Sequence, residues 1–318
     1  MSEYPAGHER ESCTVSATGE KNMRNFRFGF TVDSPGSQRE LAQICGTAEA
    51  WGYDVVLAVD HLGPERSSPF SVLVAAAYAS ERLRVGTHVL NIGYWNPSIL
   101  AREVATAVRL SEGRLELGIG SGIVKAQYDA ARIPWQPFQE RMDRLNATID
   151  EVEKLLSTEH GLGLPPLMVG GSSDRALGIA AEHADIASFG GRYQVPGEPP
   201  GTLRFVTPAE ADKGVEFLRA RAGSRADEIE TNSFILHVEV TDDRHAAAER
   251  IAAARDPHFL VQDAQHALET PFMLLGTEEE IARQLIEGRE RYGFSYITVR
   301  RPHMELFGPI IERVRQLE

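Results

Sequence analysis

Three short clusters in this chain carry side chains able to move a proton or grip an anion. The first is Asp60-His61, at the end of an apolar run from Asp54 to Val59. Histidine, with an ordinary pKa near ~6.5, holds or releases a proton at cell pH, which makes His61 the first candidate for acid–base work. Adjacent side chains need not point the same way, and the pair equally suits a loop that Asp60 caps while His61 only packs. The second cluster is Gly118-Ile119-Gly120-Ser121-Gly122, with Lys125 beyond it. It invites a dinucleotide fingerprint, but Ile123 stands at the third glycine position and no helix obviously starts there, so that reading is rejected. The third is Gly170-Gly171-Ser172-Ser173-Asp174. Two glycines let backbone N–H groups converge, and a serine hydroxyl at a helix N-terminus completes a phosphate site in physical terms. The same residues would also make an ordinary strand-to-helix turn with a serine cap. His88, between Thr87 and Val89, reads as a buried, hydrogen-bonded strand residue, with Asn91 near that strand's end. Arg300, Arg301 and His303 follow the last strand. No histidine pair has zinc-ligand spacing, and neither a G-x-S-x-G elbow nor a P-loop is present, so no metal is expected.

The elements that must position these residues alternate strictly. Phe26, Phe28 and Phe30 alternate with Arg27 and Gly29 as a first strand. Ser37 and Glu40 form a capping box, and Leu41, Ile44, Ala48 and Trp51 share one helical face until Gly52. Further strands are predicted over Asp54–Val59, Leu83–Leu90, Leu115–Ile119, Pro166–Val169, Asp185–Phe189, Asn232–Val240 and Ser295–Arg300. Helices are predicted between them, with Asn96-Pro97, Thr207-Pro208-Ala209-Glu210 and Thr277-Glu278-Glu279-Glu280 as start signals. Strand–helix alternation argues for a parallel sheet. Eight such units without a composition break favour a closed (β/α)8 barrel over a doubly wound open sheet. The fold class expected is therefore α/β, a TIM-like barrel over residues 26–318. Short loops lie at its C-terminal face, and the stretch from Arg244 to Leu268 is an insertion. Chemistry in such a barrel gathers at the C-terminal strand ends, where the candidates fall.

Of the 318 residues, 46 are acidic and 33 basic, leaving a net charge of −13. That gives no electrostatic reason to approach nucleic acid or an anionic membrane. No stretch approaches the ~18 consecutive apolar residues of a membrane span. The first 24 residues lack the apolar region of a secretory signal, so cytoplasm is the expected location. Cys13 and Cys45 offer at most one disulfide, and neither looks paired or catalytic. Residues 1–25, rich in Ser, Thr, Glu and Gly, read as a disordered tail.

Several motifs in order resemble the luciferase-like monooxygenase superfamily. They are Asp60-His61-Leu62, then Gly86-Thr87-His88-Val89-Leu90-Asn91, then the run from Leu110-Ser111-Glu112-Gly113 through Leu117-Gly118-Ile119-Gly120-Ser121-Gly122. Pro165-Pro166-Leu167-Met168-Val169-Gly170-Gly171, Ala180-Ala181-Glu182-His183-Ala184-Asp185-Ile186 and Gly276-Thr277-Glu278-Glu279-Glu280-Ile281 continue the pattern. The resemblance covers roughly Phe26 to Glu318 and is closest to the subgroup that uses the deazaflavin coenzyme F420 rather than FMN. It implies a reduced flavin or deazaflavin across the C-terminal strand ends. Asp60 and His61 would lie beside the ring as the catalytic pair, with His61 as proton donor or acceptor. A non-prolyl cis peptide backing the ring would fall near His88-Val89. The implied cofactor contacts are His88, Val89, Asn91, Gly120, Gly122, Gly170, Gly171 and Ser172, the last three toward a phosphate.

Two features depart from the superfamily pattern. Ile123 stands where many relatives carry tryptophan or glutamate, and only Ser157 to Leu164 bridges to the fifth strand. The shortened bridge should leave the mouth open or covered by the Arg192–Thr207 loop. Three functions compete: an F420-dependent oxidoreductase, an FMN-dependent monooxygenase fed by a partner reductase, and a non-catalytic subunit on the same barrel. The first is preferred, with hydride chemistry on a small-molecule substrate and a homodimer as the expected assembly. A deazaflavin lacks the nitrogen that makes reduced flavin react readily with oxygen, so this enzyme would reduce or dehydrogenate rather than hydroxylate.

Overall fold

The computed structural model describes residues 23–199 and 201–318. Most of the tail expected over residues 1–25, Cys13 included, therefore lies outside the described residues. Arg24 is described, and its guanidinium donates to the carbonyls of Asp227 and Glu228 at 2.9 and 2.6 Å.

The chain runs β1 (Arg27–Val32), α1 (Gln38–Ala50), β2 (Val55–Ala58), α2 (Pro69–Ala79), β3 (Arg84–Thr87), β4 (Leu90–Asn91), α3 (Pro97–Leu110) and β5 (Leu115–Gly120). It continues α4 (Lys125–Ala131), α5 (Phe138–Leu155), β6 (Leu167–Gly170), α6 (Asp174–His183), β7 (Ile186–Phe189), β8 (Arg192–Gln194), β9 (Leu203–Phe205) and α7 (Pro208–Ala222). Then come β10 (Glu230–Ile235), β11 (His237–Val240), α8 (Arg244–Ala254), α9 (Ala264–Glu269), β12 (Met273–Gly276), α10 (Glu278–Tyr292), β13 (Phe294–Val299) and α11 (Met304–Leu317). Eight strands close the parallel barrel in the order β1, β2, β3, β5, β6, β7, β10, β13, and β13 returns to β1. This is the (β/α)8 barrel that the alternation predicts.

Local chemistry explains the helix limits. Thr207 and Thr277 each close a reciprocal capping box, with Glu210 and Glu280, and Gly293 ends α10 in the left-handed conformation. At Ser37 only half the box forms: its side chain accepts from the Glu40 N–H, while Glu40 reaches the N–H of Gly36 instead.

Four differences from the predicted elements have physical causes. The alternation over Asn232–Val240 is two strands, because β10 stays in the barrel while β11 leaves it to pair with β12. A period of two carries no mark of a change of partner. The strand predicted over Leu83–Leu90 is interrupted after Thr87 by a cis peptide between His88 and Val89, and resumes as β4. The seven-residue helix α4 buries only Tyr128, too little for a readable stripe. The Arg192–Thr207 stretch folds as an antiparallel hairpin, β8–β9, at the C-terminal end of β7. The insertion expected over Arg244–Leu268 holds α8 and α9, and its residue Leu260 bonds to Leu203 and Phe205 of the hairpin.

The barrel interior is layered. At the N-terminal strand ends Arg27 bridges Glu116 and Glu230 at 2.8 and 2.9 Å, and Arg84 meets Glu116 at 2.6 Å. Above this lies a dry layer of Val55, Leu57, Met168, Ile186 and Tyr296. Gly29 makes room for it, since a Cβ there would stand 3.0 Å from the Tyr296 ring. Nearer the C-terminal ends the inward positions turn polar, with Ser188, Asn232 and Thr298.

Candidate active site at the C-terminal mouth of the barrel

Asp60 and His61 leave the end of β2 in different directions of bonding. Asp60 is buried, and its Oδ2 accepts from the Asn91 N–H at 2.9 Å and the Trp95 Nε1–H at 2.8 Å. Burial raises its pKa above the usual carboxylate value, against the opposing pull of those two donors and of His61. It thus ties the loop after β4 to the end of β2. His61 is half-buried and bonds elsewhere, its Nδ1 lying 3.2 Å from Gln127 Oε1 on α4. The same oxygen accepts from the Tyr94 hydroxyl at 3.1 Å. Asn91 Oδ1 in turn accepts from the Tyr128 hydroxyl at 2.5 Å and the Gly93 N–H at 3.1 Å.

His88 and Val89 form part of the floor, half-buried where the interior turns polar. His88 Nε2 lies 3.0 Å from Ser188 Oγ, which donates to Asn232 Oδ1 at 2.7 Å. The Asn232 amide goes on to donate to Thr298 Oγ1 at 2.8 Å and the Tyr296 carbonyl at 3.0 Å. Because Ser188 spends its proton on Asn232, it accepts from His88, which is therefore protonated at Nε2. Burial holds the His88 pKa down at about 4, so the ring is neutral near pH 7. The sequence reading of His88 as a buried strand residue is corrected: it is hydrogen-bonded but half-buried, and β3 ends at Thr87 before it.

The glycines have packing reasons. A Cβ on Gly120 would lie 2.8 Å from Val89 Cγ2, and one on Gly170 would lie 3.0 Å from Val89 Cγ1. The Val89 side chain thus occupies the space these two residues leave. Gly122 has φ +75°, and a Cβ there would meet Asn91 Oδ1 at 2.4 Å. Gly171 has φ +147° and donates its N–H to the Ser188 carbonyl at 3.0 Å, so that group is already used. The roles of the two serines also separate. Ser173 caps α6 by accepting from the Ala176 N–H, and Ser172 Oγ accepts from the Gly190 N–H at 3.2 Å. The Ser172 hydroxyl keeps its own proton to donate.

Across the mouth, after β7, β10 and β13, lie Arg192, His237 and Arg300 with His303. Arg192 donates to the His258 carbonyl at 3.0 Å and lies over the Phe259 ring, while its Nε is buried with no partner among the described residues. Burial, with the charge of Arg300 added, brings its pKa down to about 10. The rings of His237 and His303 are 5.9 Å apart, and burial first, then His237 and Arg300, lower His303 to about 4.

Residues 23–296 match the family model described as luciferase-like monooxygenase. The chain belongs to the luciferase-like monooxygenase family. Among curated proteins, this luciferase-like chain is 35% identical over 130 residues to an F420-dependent glucose-6-phosphate dehydrogenase of Intrasporangium calvum, covering 38% of the chain and 39% of that protein. The chain thus matches about two fifths of the length of such relatives. Among solved structures it resembles an F420-dependent secondary alcohol dehydrogenase in complex with an F420–acetone adduct. That match has a TM-score of 0.69 at 16% identity, over 92% of this chain and 100% of that one. A long-chain alkane monooxygenase gives the same TM-score at 12% identity, over 92% of each chain. At these identities the structural likeness is one of fold.

For the luciferase-like site, the sequence reading named Asp60, His61, His88, Val89, Asn91 and the glycines, and all of them lie at the C-terminal half of the barrel. It missed Gln127, Ser188, Asn232 and Thr298. The last three could have been found by parity, since they are polar residues two along from inward-facing Ile186, Glu230 and Tyr296 on their strands. Ile123, where relatives carry tryptophan or glutamate, is 70% exposed and offers no acid.

Proposed function

We propose that this luciferase-like chain is an oxidoreductase that uses the deazaflavin coenzyme F420 on a small organic substrate, with His61 exchanging the proton that accompanies hydride transfer. The observation that carries the reading is the bonding of His61. The ring stands half-buried on the catalytic face of the barrel, held at Nδ1 by a neutral amide, while Asp60 serves the loop. The curated relatives, named for F420-dependent dehydrogenation, support the cofactor over the part of the chain they match.

The residues fit such a group. The N-terminus of α6 presents helix N–H groups without helical partners, and Ser172 has a proton to donate beside them. Ser172 and the first N–H groups of α6, beside Gly170 and Gly171, would hold the phosphate, while His88, Val89 and Asn91 would support the ring from the floor. When bound, the deazaflavin supplies a two-electron hydride couple. The protein's part is then to orient it, to keep the floor neutral through His88, and to hold or release one proton at His61 Nε2. Arg192 and Arg300, facing these groups across the mouth, favour a substrate that carries negative charge.

Fluorescence titration with F420 and with FMN tests the cofactor. Tighter binding of F420 is expected; FMN binding of equal or greater strength would overturn the reading in favour of a flavin monooxygenase.

A further inference from the structure

Gln127 Oε1 receives three groups from two other segments: His61 Nδ1 at 3.2 Å, the Tyr94 hydroxyl at 3.1 Å and the Leu62 N–H at 3.4 Å. Two of the three have a fixed sense. A backbone N–H only donates, so the atom of Gln127 that faces Leu62 is the carbonyl oxygen and not the amide nitrogen. The Tyr94 phenol, pushed up to about 12 chiefly by burial, keeps its proton and also donates. A carbonyl oxygen accepts only, so His61 can bond there only through a protonated Nδ1. A neutral imidazole has one ring proton, and placing it on Nδ1 leaves Nε2 as a lone pair.

We propose that Gln127 is a positioning residue that fixes neutral His61 as the Nδ1–H tautomer, so that Nε2 is the proton-accepting atom of the site. The relevance to turnover rests on the proposed proton role of His61; the tautomer itself does not. The choice of an amide has a physical consequence. A carboxylate here would also hold the Nδ1 proton, but its charge would favour the protonated ring. An amide orders the ring without that bias. The bond also survives proton uptake, since the imidazolium donates from both nitrogens and Nδ1–H can stay on Gln127 throughout. Tyr94, from the loop after β4, and Leu62, next to His61 itself, hold the amide in place. Asp60, the ionisable neighbour in sequence, is engaged with Asn91 and Trp95.

The test is nitrogen NMR on the whole protein labelled with 15N-histidine, without added cofactor, at a pH where the ring is neutral. The wild type should show His61 as Nδ1–H. Gln127→Leu should lower the ratio of Nδ1–H to Nε2–H by about tenfold, the worth of one good hydrogen bond. Gln127→Glu, which still accepts, should restore it. An Nε2–H wild-type ring, or an unchanged ratio in Gln127→Leu, overturns the proposal. Should Gln127→Leu fail to fold, Gln127→Met takes its place, and the wild-type spectrum alone remains decisive. A kinetic arm separates this inference from the functional one. Single-turnover hydride transfer at saturating F420 should slow in Gln127→Leu with cofactor affinity retained. If the tautomer reverses and that rate does not move, the proton role of His61 fails and the positioning by Gln127 stands.

Discussion

At the residue scale His61 and His88 divide by environment. His88 is neutral by burial and spends its Nε2 proton inside the polar layer, so it is a donor to Ser188 rather than a proton carrier. In the function proposed above, His61, half-buried on the rim, exchanges the proton. A positioned acid–base group is worth roughly 10²–10⁴-fold in rate. If the proposed role holds, His61→Ala is expected to lower turnover by about that factor, with F420 affinity changed far less. Single-turnover kinetics with cofactor saturating is the measurement, and an unchanged hydride-transfer rate would clear His61 of any acid–base role.

At the element scale, the hairpin and α7 are joined by one carboxylate. Glu210 closes the Thr207 capping box and also bonds both terminal nitrogens of Arg204 on β9, at 2.8 and 2.6 Å. Its pKa is pulled down to about 2 from an ordinary 4.5, first by Arg204 and then by Thr207, against a cost of partial burial. A carboxylate lowered on folding stabilises the native state fully above its unfolded pKa and loses that contribution as pH falls. The amides of Thr207 and Glu210 should therefore lose hydrogen-exchange protection between about pH 4.5 and about pH 2. Glu210→Gln should start with less protection and lack that step; an identical step in the variant would mean the titrating group lies elsewhere. Caps of this kind were legible in the sequence because every partner lies within four residues. The barrel strands were legible because burial on one face imposes a period of two and burial on both faces gives an apolar run. What escaped depends on distant partners. Nothing between Asn232 and Val240 announces that β11 will leave the barrel, and Met273 to Gly276 is too short an apolar run to declare itself a strand. In the site, Asp60, His61 and the glycines stood out as residue types. The Gln127–His61 bond joins positions 66 apart and leaves no local trace.

At the scale of the whole molecule the barrel has one polar end and one ionic end. Glu116, 2% exposed, holds Arg27 and Arg84 together at the N-terminal end, and Arg27 lies 4.4 Å from the Tyr296 ring centre. Removing the carboxylate charge leaves Arg84 without a carboxylate and Arg27 with Glu230 alone, in a site that is largely buried. Glu116→Gln is expected to destabilise the fold by about 3 kcal/mol, the low end for a broken buried pair because both arginines keep some exposure. Denaturant unfolding measures it, and a change under ~1 kcal/mol would show the cluster to be dispensable. Activity per folded molecule should be unaffected, since the mouth is at the other end. The departure of β11 from the barrel has a different consequence, for how such proteins diversify. The parallel pairing of β11 with β12 anchors the two ends of residues 241–272 at opposite ends of one short strand pair. With both ends held a fixed distance apart, the excursion can lengthen or shorten at a free-energy cost that grows only slowly with its size. It behaves as a cassette. Exchanging or resizing this segment would leave the barrel strands and their register unchanged.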